Sequence, residues 1–220
     1  MFPPSDEVRD ALVPSPIGRW CSVIPANMDE AIRLTSAEYP GLDVVDTSPT
    51  VEETDRISAG GLGLHTDGYS EVPFHPEVLL LEYSRPVEIR VLGLADVLNA
   101  LQRVTGSDRL ARRLAGIEMF VDPGATTARA NLFRLDRDGS PGAAVLSPVA
   151  RATQASDNDI VRRWVDLWRS LDGAAPVLLT GTGETVAIRN RLAAHARIER
   201  TTPDVRLRRT WLSPRSPEAP

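Results

Sequence analysis

Cysteine occurs once in this chain, at Cys21, so no internal disulfide can form and no cysteine-rich zinc site can be assembled. Histidine is almost as scarce: His65, His75 and His195 are the full set of three. Any bound metal must be held by these few imidazoles together with Asp or Glu. Lysine is absent and every basic residue is Arg, which matches the coding bias of a GC-rich genome and carries no mechanistic weight by itself. No apolar run reaches the roughly 20 residues a membrane helix needs. The opening Met1-Phe2-Pro3-Pro4-Ser5-Asp6-Glu7 lacks the basic-then-apolar order of a secretion signal. A cytoplasmic protein with no membrane partner is expected. Positive charge is also short, with a net charge of -5, and this argues against nucleic acid as a partner because phosphate binding needs a basic surface.

What is present is ordinary for a globular protein: 220 residues, 42% hydrophobic and 25% charged, enough for one domain with its own core. Prolines at 3, 4, 14, 16, 25, 40 and 49 predict an irregular segment over 1–58, holding one helix from Met28 to Ser36 capped by Asn27. Val78 to Tyr83 reads as a buried strand. Leu94 to Val104 and Asp108 to Leu114 read as helices, Ile117 to Val121 and Asn131 to Leu135 as strands. The clearest helix runs from Asn158 to Leu171, its stripe of Ile160, Val161, Trp164, Leu167, Trp168 and Leu171 facing a core and Asp157 placed to cap it. Both tryptophans are expected to pack rather than to meet a substrate. Val177 to Thr180, the turn Gly181-Thr182-Gly183-Glu184 and Thr185 to Arg189 read as a hairpin, Leu207 to Leu212 as the last strand, and the Pro/Ser-rich end as a flexible tail.

Two of the three histidines stand where metal chemistry needs them. In Gly63-Leu64-His65-Thr66-Asp67-Gly68 an imidazole and a carboxylate are two positions apart, which in extended backbone puts both on one face. If the chain folds back as a barrel, His195 supplies a second imidazole. Two histidines and one carboxylate on one side of a metal leave the opposite positions open, as in non-heme Fe(II) oxygenases. The glycines of Ala59 to Gly63 lack the strand-turn-helix context of a dinucleotide fingerprint and suit close passage of the backbone beside this site.

The stretch Ile188-Arg189-Asn190-Arg191-Leu192-Ala193-Ala194-His195-Ala196-Arg197, followed by Arg206-Leu207-Arg208-Arg209-Thr210-Trp211, resembles the C-terminal signature of the TauD/TfdA-like and clavaminate-synthase-like Fe(II)/2-oxoglutarate dioxygenases. In that family an Asn-Arg pair precedes the distal histidine and an arginine follows on the next strand; the first motif resembles theirs in the form His-x-Asp-Gly. The resemblance spans about residues 61–212. It implies a mainly β protein with flanking helices, built as a double-stranded β-helix or jelly roll. The catalytic core would be 59–212 of a single domain 1–220, with the tail at 213–220. It implies Fe(II) held by His65, Asp67 and His195, with 2-oxoglutarate and O2 as cosubstrates. Arg209, fourteen positions beyond His195, matches the arginine that grips the distal carboxylate of 2-oxoglutarate. Arg206 and Arg208 are the alternatives should the strand register differ. One departure stands out: where family members commonly carry a threonine for the same carboxylate, the matching position is Leu92, four before Asp96.

Arg197 and Tyr69 are the candidate substrate contacts. Arg197 orients a substrate or pairs with a carboxylate, the two readings weighing equally; Tyr69 lines the pocket or is a half-buried barrel residue. His75, between Phe74 and Pro76, reads as a packing histidine. The expected reaction is oxidation of a small-molecule substrate, by resemblance an amino acid or derivative in specialised biosynthesis, with hydroxylation favoured because Asp67 is retained. A cupin-like hydrolase, lyase or isomerase using the same triad for zinc, and a non-catalytic member of the fold, remain as alternatives.

Overall fold

The computed structural model describes residues 2–52, 63–67, 76–120, 129–135, 137–138, 141–144, 151–197 and 205–214. In chain order these form α1 (Ser5–Asp10), β1 (Cys21–Ile24), α2 (Met28–Glu38), β2 (Leu42–Glu52), β3 (Val78–Tyr83), β4 (Glu88–Gly93), α3 (Leu94–Thr105), α4 (Arg109–Ala115), β5 (Glu118–Phe120), β6 (Arg129–Asn131), β7 (Phe133–Leu135), β8 (Pro141–Ala144), β9 (Arg151–Ala152), α5 (Asn158–Leu171), β10 (Val177–Leu179), β11 (Thr185–Arg189), β12 (Ala193–Arg197) and β13 (Arg206–Pro214). The described fold is mostly β with antiparallel sheets and some helices. A five-stranded sheet of order β1-β11-β3-β13-β2 and a three-stranded sheet of order β10-β4-β12 carry the chemistry-bearing strands. β6-β5-β9 and β7-β8 form smaller, separately hydrogen-bonded sheets.

Burial explains the run Val-Leu-Leu-Leu of β3, which is apolar on both faces because both faces are covered. Leu79 and Leu81 join Ile89, Val91, Val186, Ile188, Ala193 and Trp211 in a cluster between the two larger sheets. Val78 and Leu80 turn the other way and meet Met28 and Ala31 of α2. A third cluster joins α3, α4 and α5 to the back of the three-stranded sheet through Leu92, Ala194 and Ala196. Trp164 and Trp168 lie in it, edge to face with ring centroids 5.7 Å apart, as core residues rather than site residues.

Four elements differ from the sequence expectation, each for a physical reason. The proline-rich first segment contains two strands as well as its helices. Pro25 follows β1 and Pro40 precedes β2, while Pro49 falls within β2, which has no ladder on its outer side among the described residues. There Leu207 faces Val51 and Arg209 faces Ser48, so β2 carries an extra residue at the proline. The expected hairpin of β10 and β11 does not form: β10 pairs with β4, and β11 pairs with β1 and β3 in the other sheet. Thr180 leaves the three-stranded sheet with its N–H donating to Val87 O and its hydroxyl accepting from Val87 N–H, and Gly183, at φ 75°, takes the turn across. Asn131 to Leu135 is two strands in separate sheets, broken where the buried Leu132 donates its N–H to Ile117 O. Asp157 does not cap α5, because the chain enters from a 3₁₀ turn already in helical geometry, whereas a capping residue needs extended backbone. Asn27 does cap α2, its side chain accepting from Glu30 N–H at 3.2 Å.

Candidate metal centre

Small residues let β12 lie close between two layers. Ala194 and Ala196 face the helices, so alternation turns His195 toward the space between the sheets. On the edge of β12 away from β4, His65 pairs with it: His65 N–H donates to His195 O at 3.1 Å and His195 N–H to His65 O at 2.9 Å. Residues that exchange both bonds in an antiparallel pair stand directly opposite, with their side chains on the same face. The imidazole centroids are accordingly 4.6 Å apart. Asp67, two residues on, joins the same face, and the donor atoms of His65, Asp67 and His195 all lie within 4.8 Å of one another.

Asp67 is held at both its peptide and its carboxylate. The Asn190 carboxamide accepts from Asp67 N–H at 2.8 Å and donates to Asp67 O at 3.0 Å. The same Nδ2 donates to Pro76 O at 3.1 Å. From the facing sheet, Arg209 Nη1 donates to Asp67 Oδ2 at 3.1 Å and Trp211 Nε1 to the same oxygen at 3.4 Å. The other oxygen, Oδ1, is 3.3 Å from His65 Nε2 and 3.9 Å from His195 Nε2.

The protonation pattern suits a cation. His65 Nδ1 lies 2.9 Å from Gly63 O, which can only accept, so this nitrogen carries a proton and the Nε2 of the neutral ring is a lone pair. A lone pair facing a carboxylate oxygen at 3.3 Å requires a second proton or a metal ion between them. Burial, helped by the Arg209 charge and opposed by Asp67, pushes His195 down to about 3, which keeps it neutral and able to ligate. Burial alone would raise the Asp67 carboxyl; the Arg209 guanidinium and the other polar contacts around the carboxylate outweigh it and hold the group well below the usual carboxylate range. Two neutral imidazoles and an ionised carboxylate therefore fit a divalent metal of the non-heme iron type.

The remaining candidates divide clearly. Arg209 shares this inner face with Trp211, and its guanidinium lies 4.6 Å from that ring's centroid. Arg208, one residue out of phase, pairs with Asp29 on α2. Arg206 is exposed at the start of β13. Leu92 is fully buried among the helices, on the face of β4 opposite to Val91, so it does not replace a site threonine. Arg197 ends β12 opposite Ile89, and its side chain lies outside the described residues, as do Tyr69 and His75 entirely. The sequence reading gave no role to Asn190 or Trp211. Asn190 carried a signal in the Asn-Arg pair before the distal histidine, and Trp211 in its two-residue spacing from Arg209.

No protein-family model matches the chain, and no curated protein matches it. Solved structures do. The fold is similar to that of an asparagine oxygenase in complex with Fe(II), 2S,3S-3-hydroxyasparagine and succinate, with a TM-score of 0.51 and 20% identity over 78% of this chain and 56% of that one. It is also similar to the non-heme iron oxygenase OrfP in complex with Fe and L-Arg, with a TM-score of 0.51 and 18% identity over 82% of this chain and 59% of that one. OrfP in complex with Fe, succinate and (3R,4R)-dihydroxy-L-Arg gives a TM-score of 0.51 and 17% identity over 76% and 55%. The likeness is one of fold, shared with non-heme iron oxygenases, and the chain spans a little over half the length of these proteins.

Proposed function

We propose that this chain is an Fe(II)- and 2-oxoglutarate-dependent oxygenase of double-stranded β-helix architecture, one domain over 1–220, that hydroxylates a C–H bond of a small polar substrate such as an amino acid or derivative. The observation that carries this reading is the reciprocal backbone pair between His65 and His195, which aligns both imidazoles with Asp67 on one face. The amino-acid complexes of asparagine oxygenase and OrfP support the substrate class.

His65 Nε2, His195 Nε2 and Asp67 Oδ1 would hold the iron. When bound, Fe(II) with 2-oxoglutarate and O2 supplies the oxidation, in which the keto acid becomes succinate and CO2 and the substrate C–H becomes C–OH. The chain's own residues orient and exclude water. Arg209 carries five N–H donors in a rigid fork and lies beside the metal carboxylate, where it can hold the distal carboxylate of the cosubstrate in two parallel hydrogen bonds. The apolar wall of Leu79, Leu81, Val91 and Ile188 behind the site lowers the local dielectric and strengthens these contacts. Arg197 and Tyr69 are retained as substrate contacts. Anaerobic loading with Fe(II), then addition of O2 and 2-oxoglutarate with a panel of amino acids, should release succinate, with a hydroxylated product for the true substrate. His65→Ala should abolish both. Loaded protein that consumes no 2-oxoglutarate with any substrate would contradict the reading.

A further inference from the structure

We infer that Trp211 is a positioning residue for the metal: it occupies one oxygen of Asp67 so that the carboxylate presents the other alone. The inference rests on the metal-centre reading above. Two donors from β13 converge on Oδ2, Trp211 Nε1 at 3.4 Å and Arg209 Nη1 at 3.1 Å, while both imidazoles face Oδ1. The two donors are also tied to each other, since the Arg209 guanidinium lies 4.6 Å from the Trp211 ring centroid. The indole is 5% exposed and packed in the core between the sheets, so its N–H is aimed by the fold rather than by a flexible stem. Arginine alone would be an unreliable anchor, because the same guanidinium is the one placed to take the cosubstrate's carboxylate. An indole N–H has no competing duty. With Oδ2 engaged, the protein offers three ligand atoms, and the remaining positions of a six-coordinate metal stay open for cosubstrate and O2.

A matched control exists in the same core. Trp20 is also 5% exposed and also donates Nε1 to a buried aspartate, but that residue is Asp96, away from the imidazoles. Trp211→Phe and Trp20→Phe therefore remove the same chemical group from the same cluster. Co(II) is the probe, titrated anaerobically and followed by its visible absorption. Outer-sphere partners of metal ligands are typically worth about 10–100-fold in affinity, so Trp211→Phe should weaken Co(II) binding by roughly tenfold or more and shift the absorption band. Trp20→Phe should leave affinity and band as in the parent chain. If Phe at 211 prevents folding, 3-benzothienylalanine placed there keeps the ring shape and removes only the N–H donor. Parent-like affinity and band in the 211 variants would overturn the inference, as would an equal loss in Trp20→Phe. No Co(II) band in the parent chain would overturn the metal-centre reading and the inference with it.

Discussion

Two buried aspartates in this molecule, Asp67 and Asp96, receive an indole N–H and further donors, yet one turns an oxygen to two imidazoles and the other has both oxygens pinned. Asp96 is 3% exposed, in the first turn of α3. Its Oδ2 accepts from Ser15 N–H at 3.0 Å and Trp20 Nε1 at 3.3 Å, and its Oδ1 accepts from Ser15 Oγ at 2.6 Å. Both oxygens are engaged by neutral donors of the chain, so the carboxylate ties the N-terminal segment to α3. It also holds Trp20 over Gly93, where a Cβ would come within 2.3 Å of the ring. Asp67, 8% exposed, has its donors concentrated on Oδ2 and turns Oδ1 to two imidazole nitrogens. The difference lies in how the hydrogen bonds are distributed between the two oxygens, since burial and residue type are nearly the same.

The largest expected effect separates the two residues directly. Asp67→Ala should weaken Co(II) binding by at least about 100-fold, beyond the cost of losing an outer partner, whereas Asp96→Ala should leave it unchanged; a calorimetric titration decides. Arg209→Ala should raise the 2-oxoglutarate concentration for half-maximal succinate release roughly 10–100-fold, the worth of a charge-assisted hydrogen-bonded pair. Co(II) affinity should stay nearly intact, because the lost contact to Asp67 is offset by removal of a positive charge beside the cation. Asn190→Ala leaves the Asp67 peptide and Pro76 O unpaired, so the chain should lose about 1–3 kcal/mol of stability together with part of its metal affinity. Asp96→Ala should cost a similar 1–3 kcal/mol by chemical denaturation, with the metal site intact.

The most gradual effect is a pH dependence beside Trp20. Burial pushes the Cys21 thiol up to about 11 from an ordinary 9.0. The folded chain keeps the proton while the unfolded chain releases it above 9.0, so this contribution is whole below that pH and is lost as pH rises toward about 11. The unfolding free energy from chemical denaturation should fall over that window by up to about 1.4 kcal/mol per pH unit. Cys21→Ala should flatten the slope.

The pair of carboxylates also shows what sequence can and cannot convey. His65 and Asp67 could be placed on one face from their spacing, and His195 and Arg209 could be joined to them by resemblance to a known family. The helices of residues 94–105 and 158–171 were legible because their apolar stripes repeat at helical spacing. The strands of residues 21–24 and 42–52 were not, because prolines at strand ends and at an edge bulge look like breaks until the neighbouring strands are known. The mistaken hairpin has a related cause: a short turn between two strands does not say whether they pair or pass to opposite sheets. The distance between Leu92 and the site follows from strand facing, which a residue-by-residue match cannot supply. Nor could pattern alone divide the labour between Asp67 and Asp96, since their donors come from 142 and 81 positions away in the chain.

In the proposed centre His65, Asp67 and His195 would meet around one metal ion through Nε2, Oδ1 and Nε2. Anaerobic crystals grown with Fe(II) and 2-oxoglutarate, measured at the iron absorption edge, test it directly. One anomalous peak is expected within bonding distance of those three atoms, with Asp67 Oδ2 still on Trp211. A peak bound elsewhere, or Asp67 turned away from both imidazoles in the loaded protein, would contradict it.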